Sequence, residues 1–482
     1  MAGPTLSSPD LPHSPRVAEL DGALDKIGVT RSHHTIIFLI LIGCLFDAFE
    51  QNAIGLVGPL LKQQWGLTAT DIGLLNTVTF ASAAIGRIVS GLVADRYGRR
   101  VMLSLDLLLF TLGAGICALA PDLTVMAVGR AIVGFGLGGE IAIAVTMLAE
   151  FCSSKFRGTA VGLVNVGAGG MGNFLAPAFG LLVFSLFPGE NSWRWLFFCL
   201  MLPALLGAFY RRYIPETPRF LLSRHKIAEA NEVLARLASG KLSGPAPQGR
   251  DWISDDGSRQ QAAPAKVRSM EIFQGALARR TLPLCIAIWM TYGAQISVLT
   301  LMPTILVSLG YTISKSLLFT MVMQSGSLLG AIAASVFGFH LPRKRVLTVG
   351  AICACLAALA IGFLAKSIVL ILAAGAVFQF FVLLLNTTIW IFAPELYPTR
   401  VRAFGTAFIL ATGTAAGALM PLVAGRLFDA FGLAGVFGMI AAMYGIFTIA
   451  IRTVPETYGK SPDAPVEESA PDAVVQAVAA RS

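Results

Sequence analysis

This chain has little charge. Of its 482 residues only 13% are Asp, Glu, Lys or Arg, while 55% are hydrophobic. Soluble proteins carry about 25% charged residues. So little polar surface cannot cover a water-soluble particle of this size. A disordered chain, a soluble enzyme and a nucleic-acid binder are thereby excluded as leading readings. The chain also lacks a cysteine framework. Its seven cysteines, at 44, 117, 152, 199, 285, 353 and 355, are odd in number and fall mostly inside apolar runs. There is no Cys-x-x-Cys and no His–Cys cluster, so neither disulfides nor a zinc site are expected. No cofactor is expected either, and no nucleophile–base pair, metal-ligand spacing or phosphate loop marks an enzyme. The first ~34 residues are polar and lack the apolar core and small-residue cleavage site of a signal peptide. The first apolar run is therefore expected to remain as a membrane span. No lipid-anchor motif is present.

Long apolar runs are what the chain does have. A transmembrane helix needs about 20 mostly apolar residues. Twelve such runs occur: 35–60, 71–95, 101–120, 123–148, 158–187, 194–213, 281–308, 316–338, 346–365, 368–393, 401–428 and 432–452. The expected fold is an all-α membrane protein, with an N-terminal bundle over 35–213 and a C-terminal bundle over 281–452. The tails, 1–34 and 453–482, and the central loop, 214–280, are polar. The loop is expected to hold one amphipathic helix near 226–238. The chain's 31 Phe, 49 Gly and 14 Met suit helices packed in lipid.

Lys and Arg in short loops set the orientation. With the N-terminus inside, the four short inner loops hold ten: Arg96, Arg99, Arg100, Lys155, Arg157, Arg343, Lys344, Arg345, Arg400 and Arg402. The six outer loops and adjoining helix ends hold five: Lys62, Arg194, Lys315, Lys366 and Arg426. The central stretch from Arg211 to Arg280 adds thirteen inside. The net charge of +9 is thus a topology signal, with both termini cytoplasmic, rather than a nucleic-acid footprint.

The halves echo each other at an offset of 245 residues. Glu150 and Arg157 in AEFCSSKFRG match Glu395 and Arg402 in PELYPTRVRAFG, and Arg99 and Arg100 match Lys344 and Arg345. Two six-helix halves related in this way form a parallel repeat with a cavity between them.

These residues resemble the major facilitator superfamily. GLVADRYGRR (Gly91–Arg100) resembles its signature between the second and third helices, and GRAIVGFGLGGE (Gly129–Glu140) its fourth-helix motif. PETPRFLL (Pro215–Leu222), PELYPTRVRAFG (Pro394–Gly405) and PETYGK (Pro455–Lys460) resemble sugar-porter motifs. DAFEQNAIGLVGP (Asp47–Pro59) is similar to the first-helix run of aromatic-acid:proton symporters and related metabolite symporters, with Glu50 and Ala48 where those usually carry Asp and often Gly. The resemblance covers about residues 33–460. It implies the twelve-helix major facilitator fold and alternating access. It also implies gating roles for Gly91, Asp95, Arg96, Gly98, Arg99, Glu150, Arg157, Glu395 and Arg402. In the second half the loop signature has decayed to GFHLPRKR (Gly338–Arg345), with His340 in the place of Asp95. Gating interactions are accordingly expected mostly in the N-terminal half.

An ionisable group inside hydrocarbon is costly and is a functional candidate by default. Six occur, all in the N-terminal half: Asp47, Glu50, Arg87, Asp106, Arg130 and Glu140. Asp47 and Glu50 share a face of the first span, roughly 20 and 15 Å below its outer end. Arg130 lies about 10 Å below the outer end of the fourth, so Glu50 is its better match in depth. Arg87, Asp106 and Glu140 fall at similar inner depths and are expected to form one pairing group. Four carboxylates against two arginines leave two negative charges uncompensated. A carboxyl group in that position holds a proton readily, as a symporter requires. Asp47, Glu50, Arg130 and Glu140 are therefore the proton-coupling candidates.

Offset by 245, Asp47 maps to Tyr292 and Glu50 to Gln295. With Asn386 and Trp390 these are the substrate-binding candidates in the C-terminal half, where aromatic faces and amides suit a small planar solute. Asn165 and Asn173 are weaker candidates. Arg130 serves either the relay or a substrate carboxylate. The leading reading is a monomeric plasma- or inner-membrane symporter, working with protons and a small organic metabolite in the lipid bilayer. An aromatic or other organic acid comes first. A sugar or polyol porter, a proton-driven exporter and a non-transporting nutrient sensor are the alternatives. Against the sugar porter, the seventh span shows only Gln295 instead of a paired Gln run.

Overall fold

The computed structural model describes residues 15–244, 251–254, 269–337, 341–364, 367–397 and 401–457. Among these residues there is no strand. In chain order the α-helices are α1 (Pro15–Ile27), α2 (Arg31–Trp65), α3 (Ala69–Tyr97), α4 (Arg99–Leu119), α5 (Leu123–Phe151), α6 (Ser154–Val164), α7 (Asn173–Leu186), α8 (Ser192–Cys199), α9 (Pro203–Tyr213), α10 (Pro218–Ser223), α11 (Ile227–Ser239), α12 (Gly275–Ser308), α13 (Ile313–Phe337), α14 (Arg343–Leu359), α15 (Ile368–Glu395) and α16 (Arg402–Thr453).

Short polar punctuation separates the spans. α2 ends where Gly66 takes a left-handed conformation (φ 66°). Two residues later Thr68 caps α3: its hydroxyl accepts from the Asp71 N–H at 3.1 Å, and its own N–H donates to the Asp71 carboxylate at 2.9 Å. This reciprocal box satisfies two backbone donors that no helical bond can reach. Asp122 caps α5 by a single bond, accepting from the Val125 N–H at 2.9 Å.

Eleven helical segments are long and apolar enough to cross a membrane. The last, α16, breaks at Gly432 (φ 61°, ψ −149°), which divides it into the eleventh and twelfth spans and completes twelve. A π-helical stretch, Asn165–Gly172, joins α6 to α7 and was not expected from the sequence. Inside the N-terminal half, α5 lies directly against α3. A methyl group at Gly134 would meet the Thr79 carbonyl, and one at Gly138 the Ala83 carbonyl. Only residues without a side chain permit this approach, which brings Arg87 and Arg130 to opposite flanks of one contact.

The central segment behaves as expected near 226–238: α11 buries Ala230, Val233, Leu234 and Leu237. Residues 245–250 and 255–268 of it, with Gly257, lie outside the described residues, as do 1–14, His340, Lys366, Arg400 and 458–482. The N-terminal segment departs from a plain polar tail. Its PRVAELDGALDKI run forms α1 and buries Leu20, Ala23 and Leu24. Asp21 of α1 pairs with Arg219 at 2.6 Å and Arg157 at 3.7 Å.

The two halves meet at the end of the bundle away from the basic loops. There Asp429 of α16 accepts from the backbone N–H of Ala69 (3.2 Å) and Thr70 (3.0 Å) and from the Thr70 hydroxyl (2.6 Å). Deeper in, Asn76 donates to Thr300, and the Leu299 carbonyl fills the space beside Gly55. At the basic end no hydrogen bond or ion pair between described residues joins the halves. Gly91 is exposed with open space around it, and the Asp95 side chain is 74% exposed. The structure is therefore closed at one end and open at the basic one.

Candidate substrate cavity and coupling site

The central cavity draws on both halves. Its lining includes Ala48 and Gln51 of α2, Arg87 of α3, Ile141 and Val145 of α5, and Asn165, Ala168, Gly169 and Asn173 from the π-helical stretch and α7. The C-terminal half adds Ile288, Tyr292, Gln295, Ile296 and Leu299 of α12, Leu383, Asn386 and Trp390 of α15, and Leu410 and Thr414 of α16. All four C-terminal residues expected to bind substrate are thus brought together. Asn386 donates to the Gln295 carbonyl oxygen, so these two amides act as one unit. The weaker candidates Asn165 and Asn173 are there too. Asn173 also receives a hydrogen bond from Asn52 at 2.9 Å.

Arg130 is not in the lining. It is fully buried, its Nε donating to the Thr79 hydroxyl at 2.9 Å and its guanidinium paired with Glu50. The Glu50–Arg130 partnership expected from depth is present. Arg87 departs from expectation. It does not join Asp106 and Glu140 but turns to the cavity, donating to Thr414 across the halves at 2.7 Å and to the Gly138 carbonyl at 3.4 Å.

The other three carboxyl groups gather behind α5, away from Arg87. Asp47 lies beside Glu140, and Tyr210 and Glu140 both stand against Gly43. Asp106 receives the Ser90 hydroxyl at 2.9 Å. One oxygen each of Asp47, Asp106 and Glu140 is buried without a partner, and among the described residues none of the three forms an ion pair with a cation.

The cavity face of α2 carries Ala48 and Gln51, not Asp47 and Glu50. Ala48 corresponds to Tyr292 and Gln51 to Gln295, an offset of 244. Further along, Ile141 corresponds to Asn386, Val145 to Trp390 and Gly169 to Thr414, an offset of 245. The register of the repeat slips by one residue between these regions. One residue turns a helix by about 100°. The acid pair therefore lies one position off the face that Tyr292 and Gln295 present.

The same slip governs the basic end. Glu216 accepts from the Arg99 and Arg100 N–H groups at 3.1 and 3.2 Å. Glu456 accepts from Arg343 and Lys344 at 3.1 and 3.0 Å. Arg99 thus matches Arg343 rather than Lys344. Among the charged residues here, Glu150 meets Arg99 at 3.5 Å, and Arg157 meets Asp21. Glu395 takes Arg343 at 3.1 Å and the Thr457 hydroxyl at 2.6 Å, while Arg402 donates to the Tyr397 carbonyl at 3.3 Å. Asp95 pairs with Arg99 at 3.1 Å, and Arg96 lies over the Tyr97 ring. Gly98 holds φ 105° against the Glu216 carboxylate, a position where a side chain would be strained and would collide.

Burial pushes the Glu216 carboxyl up from its ordinary value, against the pull of the Thr217, Arg100 and Arg99 N–H groups. Its geometry as an acceptor therefore counts for more than its charge. Glu216→Ala is expected to cost about 1–2 kcal/mol by stripping two donors of their cap. Glu216→Gln is expected to cost less, since it keeps one acceptor oxygen. Melting temperatures of the purified variants check the order.

Two six-helix repeats around a shared cavity, closed at one end, define a multi-pass membrane transporter of the major facilitator type. The chain belongs to the sugar (and other) transporter family, whose model matches residues 37–464. It is 28% identical to the niacin transporter NiaP of Acinetobacter baylyi, over 92% of this chain and 98% of that one. It is 29% identical to the gallate transporter of Pseudomonas putida, over 81% and 85% respectively. Among solved structures it resembles the xylose transporter XylE from E. coli in a partially occluded inward-open conformation, with TM-score 0.72 and 18% identity over 89% of this chain and 99% of that one.

Proposed function

We propose that this protein takes up a small organic acid, an aromatic or heteroaromatic one first, together with protons, by alternating access. The observation that carries the coupling is the Asp47–Glu140 pair. Two carboxyl groups buried side by side cannot readily both ionise, so at least one of them holds a proton. Losing that proton leaves two like charges in contact with no cation beside them, so the pair titrates as a unit. Asp106 extends the same acidic group. Glu50 and Arg130 form the second element: a proton on the Glu50 carboxylate weakens its hold on Arg130, which keeps Thr79 and the Glu50 backbone carbonyl. The names of the niacin and gallate relatives support the acid class, and the aromatic and amide lining supports a single flat ring.

The gating roles rest on the open basic end. In the opposite state the basic ends of α3 and α16 close on each other. Asp95 then leaves Arg99 and caps the Arg402 end of α16, whose N-terminal N–H groups attract an anion. Gly91 permits that approach. Arg96, Gly98, Arg99, Glu150, Arg157, Glu395 and Arg402 hold the flanking network. Asp95→Asn is expected to slow turnover severalfold while substrate affinity stays near wild type. Equal loss of both would remove Asp95 from the gate.

The basic end, both termini and residues 214–280 are assigned to the cytoplasm of a plasma-membrane monomer, from the excess of Lys and Arg there. A cysteine replacing Gly257 should resist impermeant thiol reagent in sealed right-side-out cells and react after permeabilisation. The test of the function is proton-coupled uptake by the purified protein in liposomes. A preference for xylose over every acid would return the sugar-porter reading.

A further inference from the structure

We propose that Arg87, not Arg130, is the residue that binds the substrate's carboxylate. This rests on the organic-acid reading above and assigns its recognition site. Of the residues lining the cavity, Arg87 alone carries a charge. It forms no ion pair with a carboxylate among the described residues, where the ion pairs of α2 to α5 belong to Arg99 and Arg130.

Its donors are only partly used. A guanidinium has five N–H groups in a planar fork. Arg87 gives one from Nε to the Gly138 carbonyl and one from Nη1 to Thr414. Three remain, two of them on Nη2. A cation so placed, half-buried and short of acceptors, requires an anion to balance it. A carboxylate meets that need in a two-point hydrogen-bonded pair. Arg130, by contrast, spends its fork on Glu50 and Thr79 and is shut off from the cavity.

The surroundings fix the rest of the ligand. Tyr292 stands beside Arg87, and Trp390 faces the same space, which gives a ring two aromatic surfaces. The Oδ1 of Asn386 is buried without a partner, so the polar end of the site offers an acceptor to a ring substituent that donates. The class is a single-ring carboxylic acid, with the carboxylate on Arg87. Because Arg87 bonds α3 to α16, its occupation also bears on how the two halves approach.

The test is equilibrium binding to the purified full-length protein in detergent. The probes are nicotinate, benzoate and 4-hydroxybenzoate, each compared with its uncharged amide and with xylose. Wild type is expected to favour at least one acid over its amide by about 10–100-fold, the value of hydrogen bonds to a charged group. Arg87→Gln is expected to remove that preference while amide binding stays within a few fold. Arg87→Lys, which keeps the charge without the fork, is expected to retain only part of it, and it carries the test if Arg87→Gln does not yield monodisperse protein. A folded Arg87→Gln or Arg87→Lys protein with an undiminished acid preference would overturn the assignment while leaving the organic-acid reading intact. Wild type that binds xylose and none of the acids would overturn both.

Discussion

Asp47→Asn is expected to abolish accumulation driven by a pH gradient while leaving fold and membrane level unchanged. Asparagine has nearly the shape of a protonated aspartic acid and brings no charge to Glu140. It cannot release a proton, so the pair loses its second titration step. Substrate exchange at equal concentrations on both sides should survive, since it needs no net proton movement. The two assays together separate coupling from binding. Undiminished proton entry and uphill transport in the purified variant would make Asp47 structural, and Glu140 or Glu50 would have to take its place.

The second large effect is expected at Arg130. Arg130→Met strands Glu50 at a site that is fully buried, where removing one partner of an ion pair costs about 3–5 kcal/mol. The variant should be recovered in much lower yield and melt far below wild type. Adding Glu50→Gln removes the stranded charge and should restore most of the loss in stability, though not coupled transport. If the double variant is no more stable than Arg130→Met alone, the two residues do not act as a pair.

The spans were legible in the sequence because hydrocarbon demands long apolar runs, and little else satisfies that demand. The last two spans, 401–428 and 432–452, were separable in the sequence, and the helix breaks at that boundary, where Gly432 takes a positive φ. The amphipathic α11 was legible from its period. The N-terminal α1 was not, because its apolar stripe is narrow and lies in a polar tail. The site was legible in part. Tyr292, Gln295, Asn386 and Trp390 stand where polar groups in apolar spans should, on the cavity. The facing of α2 was lost because loop charges set the repeat register at 245, while the cavity residues of α2 and α12 follow 244. A one-residue error is harmless in a loop and rotates a helix face by about 100°. Gln51 was missed for that reason. Arg87 and Arg130 were both visible as buried cations, but depth alone does not say which side of α5 each one faces. That depends on the glycine contacts between α3 and α5.

On the proposed mechanism a carboxylic acid and a proton cross together through this cavity. The most direct measurement is uptake of radiolabelled nicotinate, benzoate and 4-hydroxybenzoate into liposomes containing the purified protein, with internal pH followed by a trapped dye. An acid-outside gradient should drive accumulation of at least one acid above its external concentration, with internal acidification that tracks uptake and vanishes with a protonophore. Protein-dependent equilibration that is indifferent to the pH gradient, with no proton movement for any of the acids, would contradict it.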